Sequence, residues 1–275
     1  MTSWLAVLPE IAFMVAILGL PGLLVARCLQ FRWWDAIALS TPLSLAVLAL
    51  ANIASILTGM RWGLLVVVLA TVGTVLACVL VMRTLGPVVA RSSLGQAHVE
   101  GRRVIGVMWD RRAEVIAILA TVAAAIVGAI AIARGTGTPH TLNQTSDAAF
   151  HVNSISAVAQ QHRASPSMLS NLGYPFGSGG FYPPTFAAAV SLLVTYAHVS
   201  PVVAANVSSV AIAILWPLTV SIAVRRLARP SAFGYLVAMV GAVTVSLFPA
   251  VLLAWGTVWP NALSVLALAP ALVMV

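Results

Sequence analysis

Charge is what this 275-residue chain has least of: 7% of its residues are Asp, Glu, Lys or Arg. Lysine is absent, so all 14 basic side chains are arginine, and only six acids oppose them. So few charges cannot cover the exterior of a soluble domain of this length. Cysteine is nearly absent too. Cys28 and Cys78 have no metal-ligand spacing, and both fall at helix ends expected on the cytoplasmic side, so no structural disulfide is expected. No basic segment precedes the first apolar stretch, which is therefore read as a retained span rather than a cleaved signal peptide.

What is present is hydrocarbon. Hydrophobic residues make up 61% of the chain and the mean hydropathy is +1.05. A spanning helix needs about 20 largely apolar residues. Candidates lie at 5–26, 36–58, 63–82, 113–133, 201–224 and 232–252, with a seventh starting near 261. The fold class expected is all-α, a polytopic transmembrane bundle whose external loop carries short juxtamembrane helices.

The net charge of +8 does not point to nucleic acid, because the arginines gather at the ends of apolar runs. Arg27, Arg32, Arg83, Arg91, Arg102, Arg103, Arg111, Arg112, Arg225, Arg226 and Arg229 all fall on one side if the spans alternate. Arg61, Arg134 and Arg163 fall on the other. The positive-inside rule then places the N-terminus and residues 134–200 outside a plasma membrane, with the basic loop 83–112 inside. Residues 1–112 read as an N-terminal three-span unit and 113–275 as a second unit built around the external loop 134–200. Pro184 to Val199 is apolar, but 16 residues reach only about 24 Å as a helix, short of a core of about 30 Å. It is expected to dip into or lie along the membrane.

The external loop holds one carboxylate, Asp147. Thr145 or Ser146 can cap a helix running to about His162. Ala148, Val152, Ile155 and Ala159 would form its apolar face, and Asp147, His151 and Ser154 its polar one. Such a helix suits the bilayer surface. Asp147 and His151 are four apart and share a face. Asp147 is either a helix-start charge favoured by the macrodipole or a general base or metal ligand. His162 and Arg163 read as charges complementing the helix C-terminus. Tyr174, Tyr182, Trp255 and Trp259 suit either an interfacial belt or, for the tyrosines, sugar-stacking walls. Glycines 177, 179 and 180 allow a sharply bent loop but lack a phosphate-binding pattern. Glu10 is an acid within the first span, near its outer end. Ala120, Ala124 and Gly128 form a stripe of small residues that admits a close neighbour helix.

Taken together, these features resemble the GT-C superfamily of membrane glycosyltransferases, which use polyprenyl-phosphate sugars. The resemblance covers roughly 113–275. A span rises to Asp147-x-x-x-His151 on an amphipathic helix; Tyr182-Pro-Pro then opens a short helix, and a further span ends in Arg225-Arg226. Phe248-Pro249 and Trp255-Gly-Thr-Val-Trp-Pro-Asn261 are similar to an actinobacterial multi-pass membrane family of this architecture. The resemblance implies transfer from a polyprenyl-phosphate sugar at the outer membrane face. Asp147 would be the base or a metal ligand, and His151 would orient it or share a divalent cation, Mg or Mn. Arg134 and Arg163 would attract phosphate, while Tyr174, Tyr182, Trp259 and Asn261 would close the substrate cavity. Residues 184–199 would border the lipid-chain groove. Two departures stand out: a second loop acid is missing, and about 14 residues follow Asn261 where a span wants about 20, so the chain reads as truncated. Two other classes remain, a non-catalytic scaffold or assembly subunit and a transporter. The transporter ranks last because polar or broken helices are not evident in the spans.

Overall fold

The computed structural model describes residues 3–84, 111–173, 180–227, 231–245 and 247–272. Tyr174, the glycines 177 and 179, and nearly all of the 83–112 loop lie outside them. The described residues are helical throughout, with no strand. A short 3-10 turn, Trp4–Val7, leads into α1 (Leu8–Cys28), followed by α2 (Trp33–Thr58) and α3 (Leu64–Thr84). Beyond these come α4 (Arg111–Thr136), α5 (Ser146–Gln161), α6 (Pro166–Gly173), α7 (Thr185–Tyr196) and α8 (Pro201–Leu227). The chain continues through α9 (Ala232–Thr244), the π-type turns of α10 (Leu247–Trp255) and α11 (Trp259–Leu272).

Six stretches are long and apolar enough to cross a membrane: Trp4–Cys28, Trp33–Thr58, Leu64–Thr84, Arg111–Thr136, Pro201–Arg225 and Ala232–Trp255. They match the six spans expected from hydropathy, and the chain is a multi-pass helical membrane protein. In lipid, apolar contact alone does not join helices, so close packing of small residues must. That is how α1 meets α2. A Cβ on Gly22 would collide with the Ser40 carbonyl oxygen, and the Gly22 N–H donates to Ser44 Oγ at 2.7 Å. The small-residue stripe of α4 works the same way: Ala117, Ala120 and Ala124 pack on Tyr235 and Met239, and Gly128 abuts the Ala213 backbone. Helix α8 is the hub. Its Ala204, Ala205, Ser208, Ser209, Ala211 and Ala213 are all buried, and small side chains let several helices surround it. One core cluster runs through residues on both sides of the 83–112 loop, from Met14 and Leu48 to Val207 and Leu266. Outward, Leu65, Leu69, Leu76 and Leu80 of α3 are exposed and form a face for acyl chains.

Helix α7 is short, as expected, and Phe186 to Leu193 are buried without exception, which leaves this stretch no open face to border a lipid groove. A helix apolar on every face belongs inside protein. At 12 residues it is about 18 Å long, too short to cross. Both of its ends meet the α2–α3 turn: Trp62 Nε1 donates to the Ala188 carbonyl at 2.9 Å, and the Leu64 N–H donates to Tyr196 Oη at 3.1 Å.

The sixth span is broken. Backbone angles are extended at Val245 and Phe248, and Phe248-Pro249 is cis. The break is filled by rings: Trp216 stands edge-on to Phe248 at 4.7 Å, and its Nε1 donates to the Ala242 carbonyl at 2.7 Å. That bond satisfies a polar group that an uninterrupted helix would satisfy for itself. The two ends of the bundle differ in kind. At one, Arg27 lies over Trp33 at 4.4 Å, Arg225 lies over Trp34 at 5.7 Å, and Arg225 pairs with Glu114 at 3.7 Å. The other is capped by α5, α6, α7 and the turns around residues 62, 139 and 256.

Candidate functional site in the cap

The cap is tied down by side chains that satisfy loop backbone groups. Asn206 of α8 donates to the carbonyls of Pro139 and Thr141 at 3.0 and 2.8 Å, and Trp4 Nε1 donates to Gly137 at 3.0 Å. Asn143 accepts from the Thr145 N–H at 3.0 Å and donates to the Ala254 carbonyl at 2.9 Å. Thr145 is the N-cap of α5, accepting from the Ala148 N–H at 3.1 Å. Its hydroxyl also meets that of Thr257 at 2.6 Å. Thr257 is fully buried at φ +49°, a conformation costly for a β-branched residue. Such local strain persists only where its surroundings enforce it, and it clusters at functional sites.

Between these two segments lies an open cleft of about 670 Å³. Asn143, Gln144, Thr145 and Asp147 form one wall, and Ala254, Trp255, Gly256 and Val258 the other. Asp147 is exposed at the start of α5 and accepts no hydrogen bond among the described residues. One turn further along, the environment inverts. His151 is 4% exposed, and its ring centroid lies 5.5 Å from Phe150, 5.7 Å from Phe186, 5.6 Å from Trp259 and 6.3 Å from Tyr182. Burial pushes its pKa down to about 4, against the upward pull of the Asp147 carboxylate, so the imidazole is neutral at pH 7. Burial, and then Asp147, raise the Tyr182 phenol. Trp259 stacks on Phe186 at 5.7 Å, and its buried Nε1 has no hydrogen-bond partner among the described residues.

A model for a family of unknown function, DUF6541, matches residues 15–275. The chain belongs to this family. No curated protein matches it, and no solved structure does. The matched stretch contains every residue of the cleft and the ring cage.

The expected helix is present, capped by Thr145 and ended by His162 in a left-handed conformation at φ +49°. Its face is rotated from expectation. Ala148, His151, Ser154, Ile155 and Val158 are buried, whereas Val152 and Ala159 are only half-buried. His151 and Ser154 therefore point inward, not to a polar outer face. Packing against α7 and α8 selects the 148-151-155-158 stripe. Ser154 then donates to its own helix, to the Phe150 carbonyl at 2.8 Å. The sequence-selected residues thus separate into groups. Asp147 lines the cleft; His151, Tyr182 and Trp259 form the buried cage. Arg134 is exposed in the last turn of α4, next to Gly135, which abuts Ala254 at the cleft rim. Arg163 is exposed beyond the far end of α5, about 24 Å from Asp147 along the helix. Asn261 is exposed on α11, outside the cleft lining. Tyr174 lies outside the described residues. Gln144, Thr257 and the cleft-facing role of Trp255 escaped the sequence reading, since each depends on the 254–258 turn folding against 143–147.

Asp147 lines the cleft and His151 is buried in the ring cage, so the two candidate cation ligands face different surroundings. No group of three His, Cys, Asp or Glu side chains occurs among the described residues, and residues 164–197 contain none of these types. His151, moreover, is enclosed by rings, where a hydrated cation would have to be stripped of water.

Proposed function

We propose that this chain is a GT-C-like membrane glycosyltransferase, transferring a sugar from a polyprenyl-phosphate donor. The supporting observation is that Asp147, the sole carboxylate of the loop, lines an open cleft in the cap of the bundle. A membrane-held donor and a water-borne acceptor can meet there. Asp147 takes the acceptor hydroxyl proton as that oxygen forms its bond to the anomeric carbon. The bond from that carbon to the phosphate oxygen breaks, and polyprenyl phosphate leaves. Arg134, exposed beside Gly135 in the last turn of α4, offsets charge developing on the leaving phosphate. His151 is neutral and buried, and its part is to hold α5 in register rather than to carry a proton. No step is routed through a cation. With 11 arginines at the opposite side, the cap faces outward from the cell membrane and the N-terminus is outside.

Asp147→Asn keeps shape and removes the base. Transfer from a defined lipid-linked donor should fall about 10²–10⁴-fold, with a stability change of at most about 1 kcal/mol. Unchanged transfer would sink this assignment. The solitary carboxylate also favours a second reading, a scaffold subunit, for which no transfer occurs and the substitution is silent.

A further inference from the structure

We infer that the cleft is a subsite for one uncharged, hydroxyl-rich sugar ring, stacked on Trp255 and bonded through its hydroxyls by Gln144 and Asp147. This deepens the transferase reading, and it rests on that reading only for which substrate the ring belongs to.

The lining chemistry restricts the occupant. Trp255 is a large apolar plate, 77% exposed although it lines a cavity. Acyl chains could cover such a ring, but here they would also have to cover Asp147, and burying an unpaired carboxylate in hydrocarbon is prohibitive. The occupant must therefore present an apolar face and hydrogen-bond donors together. A pyranose or furanose ring does both, with C–H groups on its face and hydroxyls at its edge. A phosphate does neither. Among the described residues, the only charged side chain lining the cleft is Asp147, which repels an anion.

The polar groups divide into those already engaged and those available. Asn143 is committed to Thr145 and Ala254, and Thr145 to Ala148 and Thr257. These bonds hold the two walls in place. Gln144 and Asp147 are exposed and have no hydrogen-bond partner among the described residues, which leaves an amide and a carboxylate to read hydroxyls. The volume of about 670 Å³ is in the range of ligand cavities, about 300–1,000 Å³. The donor phosphate consequently lies outside the cleft.

The test uses the full chain in lipid nanodiscs and saturation-transfer NMR. The probes are methyl glycosides of mannose, galactose, glucose and arabinose, with inorganic phosphate as competitor. At least one glycoside should receive saturation. Trp255→Ala should weaken it about tenfold, Trp255→Phe should retain most of it, and equimolar phosphate should not displace it. Three results overturn the inference: no glycoside bound, binding indifferent to Trp255→Ala, or displacement by phosphate. Transfer from a lipid-linked donor is measured on the same samples. Glycoside binding at Trp255 without any transfer keeps the subsite and sinks the transferase reading. Transfer that is indifferent to Trp255 does the reverse.

Discussion

Replacing His151 by glutamine should remove one specific component of this protein's acid sensitivity. In the folded chain the imidazole is enclosed by Phe150, Tyr182, Phe186 and Trp259, and its pKa falls from 6.5 to about 4. A lowered histidine pKa means that the unfolded chain binds the proton more readily than the folded one. Above pH 6.5 neither state is protonated at this site and it contributes no pH dependence. Between 6.5 and about 4 the unfolded state gains a proton first, so stability falls as pH falls. Below about 4 both states are protonated and the loss saturates. The depression corresponds to a loss of about 3 kcal/mol, or a melting shift on the order of 5–10 °C for a domain of this size. Melting curves in nanodiscs at pH 7.5, 6, 5 and 4 provide the assay. The rest of the chain is the same in both proteins, so the quantity read is the difference between wild type and His151→Gln. That difference should open below pH 6.5 and level off near pH 4. Parallel curves, or an imidazole signal of His151 titrating near 6.5, would refute the buried-cage reasoning.

Two further outcomes follow from packing and charge. Gly22→Ala drives a methyl group into the Ser40 carbonyl, so it should separate α1 from α2 and destabilise by about 1–3 kcal/mol or more. Gly73→Ala, with open space around it, should be neutral or stabilising by up to about 1 kcal/mol; equal melting points for the two variants would contradict the α1–α2 contact. With Cys28 and Cys78 replaced, Ser167→Cys should react with an impermeant thiol reagent on intact cells, and Ser231→Cys should not. The opposite pattern would invert the proposed orientation.

The spans were legible because hydropathy is a local property: each stretch of about 20 apolar residues commits itself to a helix in lipid whatever its neighbours do. The start of α5 was legible for a similar reason, since Thr145 and Asp147 act on the backbone beside them. Which face of α5 turns inward was not. In a chain this apolar, periodicity does not distinguish protein from lipid, and the rotation that buries His151 is selected by α7 and α8. The same ambiguity concealed the enclosure of α7, and only packing against Trp216 accommodates the break between α9 and α10. The cleft depends most on tertiary structure. Asp147 could be singled out as the loop's lone acid, but its opposite wall comes from a turn more than a hundred residues away, joined through Thr145 and Thr257. Sequence by itself determined which six stretches are long and apolar enough to cross a membrane and that Asp147 is the lone acid between the fourth and fifth of them. The fold alone decided what that carboxylate faces, because contacts between distant segments depend on helix rotation and packing, which no local pattern encodes.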